Sequence, residues 1–104
     1  FVEDRDKTEE NFPVPSVSAT REHGNDIILD ITIDSDASFS HFEIERKDGE
    51  DQPFQYVDEA EDTTYVDLDL APGLYIYRVR AVYQQIGYLS FSKFSEEERY
   101  RMPR

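Results

Sequence analysis

Residues 70–81 read Leu70-Ala71-Pro72-Gly73-Leu74-Tyr75-Ile76-Tyr77-Arg78-Val79-Arg80-Ala81. Pro72-Gly73 is a turn dipeptide, and the residues beyond it alternate with a period of two. Tyr75, Tyr77, Val79 and Ala81 form one set, and Ile76, Arg78, Arg80 and Val82 form the other. A β-strand sends successive side chains to opposite faces, so the first set is read as buried and the second as outward-facing.

The same alternation recurs upstream. Ile27, Leu29, Ile31 and Ile33 alternate with Ile28, Asp30, Thr32 and Asp34, and Phe42 and Ile44 alternate with Glu43 and Glu45. Further strands are read at Val14 to Val17, Pro53 to Val57, Tyr65 to Leu70 and Tyr88 to about Phe94, with the long one from Leu74 to Tyr83. Asp48-Gly49 marks a turn between two of them. About seven short strands, separated by turns and lacking helices between them, predict an all-β fold, an antiparallel seven-stranded β-sandwich. A small closed barrel shares that local signature.

The strands do not reach the ends of the chain. Residues 1–12 are read as an acidic leader or linker, since seven of the first eleven positions are charged and no period organises the few apolar ones. Pro13 and Pro15 steer the residues before them to extended conformations, which suits an edge strand. The sandwich is expected over residues 13–95. Residues 96–104 read as a charged tail, with one helical turn expected from Ser95 to Glu98. Phe1 in place of an initiator methionine is read as a processed product or a piece of something longer.

The stretch from Leu70 to Ala81 resembles the fibronectin type III segment that leads into and along that family's strand F. His41-Phe42-Glu43-Ile44-Glu45-Arg46-Lys47 resembles its strand C, Val14-Pro15-Ser16-Val17 its proline-marked strand A, and Gly87 with Ser90 to Ser92 the start of its strand G. The resemblance implies a fibronectin type III or immunoglobulin-like sandwich. It also implies that Tyr75 is a corner residue whose hydroxyl bonds back to the backbone, with Leu70, Pro72 and Gly73 shaping the corner. The family's usual buried Trp on strand B is missing, so Ile31 or Ile33 is expected to fill that volume. Strands C and F are neighbours in the family, which predicts that Arg78 and Arg80 face Glu43 and Glu45.

Composition narrows the function. Asp plus Glu number 24 against 11 Lys plus Arg, a formal charge of −13 in 104 residues. Nucleic acid and anionic membrane surfaces need Lys and Arg to displace counterions, so neither is an expected partner. The absence of cysteine excludes disulfides, thiolate nucleophiles and cysteine metal sites. Apolar runs as short as Ile27-Ile28-Leu29 do not predict membrane insertion.

Catalytic chemistry has little to work with. His23 and His41 are the only histidines and so the only candidates for the base of a hydrolase triad, and neither sits in a recognisable motif. Asp34-Ser35-Asp36 offers two carboxylates in the turn after one strand, making Asp34 and Asp36 the candidate calcium ligands, although no regularly spaced loop ending in Glu succeeds it. Asp58, Glu59, Glu61 and Asp62 form a second acidic stretch. Seven Phe and seven Tyr exceed what one small core absorbs, and Tyr56, Tyr83, Tyr88 and Phe94 are the candidate binding residues. No catalytic residue or cofactor is expected. The sequence is therefore read as a non-catalytic module, a spacer or protein-interaction domain of a secreted or cell-surface protein whose partners are other proteins or adjacent domains of the same chain. The alternative is a carbohydrate-binding module using exposed Tyr and Phe.

Overall fold

The structure, a computed structural model, describes residues 7–21, 24–34 and 38–104. Among these residues the chain forms nine strands and no helix: β1 (Lys7–Thr8), β2 (Ser16–Arg21), β3 (Ile27–Thr32), β4 (His41–Lys47), β5 (Gln55–Ala60), β6 (Thr64–Asp67), β7 (Gly73–Gln84), β8 (Leu89–Phe91) and β9 (Glu98–Met102). They build two sheets. One runs β1-β8-β7-β4-β5, with β9 also pairing β7, and the other runs β2-β3-β6. The seven expected strands correspond to β2 through β8.

The alternation read from the sequence assembles the core. Ile27, Leu29 and Ile31 of β3 meet Phe42 and Ile44 of β4 and Tyr75, Tyr77, Val79 and Ala81 of β7 between the sheets. Ile31 is buried in this core, and Ile33 packs partly against it. Each buried Ile, Leu, Val or Phe among them contributes about 1.5–3 kcal/mol by leaving water. Tyr75 closes the corner: its hydroxyl donates to the Ala71 carbonyl at 2.6 Å. Leu70 is buried beside it, and Gly73 has φ of 152°, a backbone conformation that a side chain would strain.

Two expectations about faces and ends are corrected. Ile76 and Val82 point away from the core, yet both are 0% exposed. β7 is paired on both edges, so Ile76 is flanked in register by Lys47 and Arg99, and Val82 by His41 and Phe91, on the same face of the sheet. The helical turn expected in the tail is replaced by β9, which pairs antiparallel with Gly73–Tyr77. Tyr100 and Met102 alternate with Arg99 and Arg101, and that period lets Met102 (1% exposed) enter the core while the arginines stay outside.

Strand β1 lies parallel to β8 near the Gln84 end of β7, whereas Met102 of β9 sits opposite Gly73 at the other end. Twelve residues of β7 separate the two ends, roughly 36 Å at about 3.3 Å per residue.

Candidate functional site: an arginine and phenylalanine ladder

The outward face of β7 carries Arg78 and Arg80, and register places them opposite Glu45 and Glu43 of β4. Arg78 donates from Nε (2.9 Å) and Nη2 (2.6 Å) to Glu45 Oε1. Arg80 donates from Nε to Glu43 Oε1 at 2.8 Å, and its Nη2 is ion-paired with the same oxygen at 2.8 Å. All four side chains are half-buried. The expected cross-strand pairs are therefore formed, each stabilising by about 0.2–1 kcal/mol.

The opposite side of each guanidinium is covered by aromatic rings. Phe94 lies 4.0 Å from the Arg78 guanidinium carbon and 4.8 Å from that of Arg80. Phe91 covers Arg80 at 3.8 Å, Phe54 covers Arg78 at 4.2 Å, and Lys47 Nζ lies 5.1 Å from the Phe54 ring. Cation and ring thus alternate in the order Lys47, Phe54, Arg78, Phe94, Arg80, Phe91. A half-buried cation on an aromatic face gains about 0.5–2 kcal/mol.

What holds the rings in place is a break between β8 and β9. In Phe91-Ser92-Lys93-Phe94-Ser95 each phenylalanine is followed by serine, and the backbone leaves regular pairing there. Ser92 N–H donates to the Ala81 carbonyl at 2.9 Å and its Oγ accepts from the Ala81 N–H at 2.9 Å. Ser95 repeats this with Val79, at 2.7 and 3.0 Å. The hydroxyls thus stand in for the carbonyls of a continuous strand, satisfying amides that are costly to bury unpaired. The spacing of three in this motif is the sequence signal for the ladder, and the sequence reading missed it.

A second polar cluster ties the sheets together. Asp67, 6% exposed on β6, accepts from the Tyr77 hydroxyl at 2.6 Å and from Arg46 Nη1 at 2.8 Å. Arg46 Nε also donates to Asp48 at 2.7 Å. Burial, and then the hydrogen bond and charge of Asp67, hold the Tyr77 hydroxyl far above its ordinary pKa. Burial opposes the Arg46 charge, but its bonds to Asp48 and Asp67 win and its pKa is raised.

No protein-family model and no curated protein matches the chain. Solved structures do. A myokine structure superposes with TM-score 0.72 at 20% identity over 92% of this chain and 100% of that one. Titin domains superpose with TM-score 0.71 at 19% identity over 91% of this chain, which spans 32% of that fragment. A fibronectin type III-like protein from Clostridium thermocellum gives 0.64 at 21% identity, covering 91% and 95%. The chain has a fibronectin type III-like fold.

This fibronectin type III-like sandwich scatters the aromatic residues singled out in the sequence. Tyr83 is 9% exposed and packs against Phe12 with ring centroids 4.4 Å apart. It continues the inward series of Tyr75, Tyr77, Val79 and Ala81, so the period that buries them buries it too, and it is not an exposed binding residue. Phe94 lies beneath the two arginines. Tyr88 is half-buried in the β7–β8 connection, where its carbonyl accepts from the Gln85 N–H. Of these four residues only Tyr56, on β5, is exposed, at 57%. Among the described residues the two close ring pairs, Phe12–Tyr83 and Phe39–Phe42, are tilted and neither forms a flat exposed platform.

The remaining candidates sit apart from the ladder. His41 Nε2 lies 3.4 Å from Glu59 on β5, and the neighbouring Ser40 hydroxyl accepts from the Gln84 N–H. His23, Ser35 and Asp36 lie outside the described residues. Asp34 is exposed, and among the described residues no three His, Asp or Glu side chains converge as a metal site.

Proposed function

We propose that this chain is a non-catalytic, in-line module, a spacer or protein-interaction domain of a secreted or cell-surface protein, with other proteins or adjacent domains of the same chain as its partners. The observation that carries the reading is that β1 and β9, the first and last described strands, lie at opposite ends of the long strand β7, in a body measuring 50 × 32 × 19 Å. Domains joined through strands so placed extend a chain instead of folding back on it. The ladder supports the same role, because it fixes the segment leading into β9 to the body through paired charges and stacked rings. Similar sandwiches occur beside other domains in titin. The placement outside the cytoplasm accords with the habits of the resembled family.

Small-angle scattering from a fusion of two copies in tandem tests the spacer role. A maximum dimension close to twice that of one copy is expected, and a folded-back pair no longer than one copy overturns it. Antibody labelling of intact against permeabilised cells tests the location, with labelling only after permeabilisation counting against it.

A further inference from the structure

A cavity of about 340 Å³ opens beside the β4–β5 hairpin, lined among others by Arg46, Asp48, Gln52, Gln55 and Tyr56. Its size falls near the lower end of the range that holds small ligands, about 300–1,000 Å³. The sheet register slips between Ile44 and Glu45, where Val57 is the extra residue on β5. Such a bulge bends the strand and re-aims its side chains, and here consecutive residues Gln55 and Tyr56 both line the cavity. We propose that this cavity is a binding site for a neutral mono- or disaccharide, with Tyr56 as the stacking ring and Gln52, Gln55 and Asp48 as hydroxyl partners.

The chemistry of the lining selects that class. Tyr56 is more than half exposed and presents an apolar ring with a polar edge, which suits the C–H face of a pyranose. Each glutamine amide brings donors and an acceptor, and Asp48 brings acceptors, so a ligand whose hydroxyls both donate and accept can be satisfied throughout. Arg46 is fixed in place by Asp48 and Asp67. Two carboxylates already engage that one guanidinium, so it offers no unpaired cation to hold an anionic ligand. A site with one stacking ring and few polar contacts binds a single sugar with a dissociation constant of order a millimolar. This inference stands independently of the spacer role, since an in-line module can carry a sugar site on its flank.

Titration of the folded, isotopically labelled chain with glucose, galactose, mannose, N-acetylglucosamine and cellobiose, monitored by amide chemical shifts, tests it. Saturable shifts confined to residues 46–57 are expected for at least one neutral sugar. Tyr56→Ala should weaken binding about tenfold or more, whereas Tyr56→Phe retains the ring and the affinity. Gln55→Ala supplies a second loss through a different contact. Absence of saturable shifts with every neutral sugar, shifts centred elsewhere, undiminished binding by Tyr56→Ala, or tighter binding of glucuronate than of glucose would each overturn the proposal.

Discussion

The hydroxyl of Tyr75 reaches back across Pro72-Gly73 to a carbonyl four residues upstream, and its removal leaves the ring packing intact. Tyr75→Phe is expected to lower stability by about 1 kcal/mol, read as a lower urea midpoint at unchanged slope. Asp67 is more exacting, because it is buried and serves two donors from two other strands. Asp67→Ala leaves Tyr77 without an acceptor and Arg46 without one of its carboxylates, and should cost about 3 kcal/mol in the same assay. The tyrosines also set an alkaline limit. Unfolded tyrosine releases its proton near pH 10, whereas burial and Asp67 keep Tyr77 protonated in the folded chain. Tyr65, pushed up to about 12 by burial and Asp58, behaves likewise. A raised acidic pKa means that the folded state holds protons which the unfolded state has lost. Stability is therefore fully present below about pH 10 and falls as pH rises above it, which urea unfolding between neutral and alkaline pH should show. At this scale Tyr75 was legible because it stands in a recognisable turn. Asp67 was not, since nothing in Tyr-Val-Asp-Leu-Asp-Leu distinguishes the one acid that turns inward from those that stay in water.

At the scale of elements, β4 and β7 were legible down to the facing of Arg78 and Arg80 on Glu43 and Glu45, because the resemblance makes the two strands neighbours and their period-two patterns put opposite charges on one face. The last strand was not. Its hydrogen bonding passes from backbone to the Ser92 and Ser95 hydroxyls and back, so residues 92–97 carry no strand period and the charge of β9 reads as solvated tail. The ladder across this break makes a quantitative expectation. Phe94 touches both arginines, and Phe94→Ala should destabilise by about 1–2 kcal/mol. Arg78→Lys keeps the charge but loses the planar group held between Phe54 and Phe94, and should lose about 1 kcal/mol. A double-mutant cycle on Phe94 and Arg78 should show coupling of about 0.5–1.5 kcal/mol. Strict additivity would mean that the rings and guanidinium are merely adjacent. Carboxylates also guard the sheet edges: Glu98 accepts from the Ala19 N–H of β2, and Asp58 from the Glu59 N–H of β5. Both occupy amides that could otherwise recruit another strand.

Over the whole molecule, a charge of −13 is only partly neutralised by the ladder and its neighbouring ion pairs, so the surface repels itself. Salt near 0.1 M reduces the screening distance to about 10 Å and should raise the melting temperature relative to low-salt buffer. A fall on adding salt would mean that the attractive pairs outweigh the acidic excess. The sandwich itself was legible at this scale, because seven alternating segments allow few other arrangements. The aromatic surplus was not resolved by counting, since Phe12 from the leader and Arg78 and Arg80 from the sheet cover rings that the sequence leaves apparently spare. The placement of β1 and β9 at opposite ends of β7 has a mechanical consequence. Tension applied between these two strands runs along them, so the five residue pairs joining β9 to β7 are loaded together in shear instead of opening one at a time.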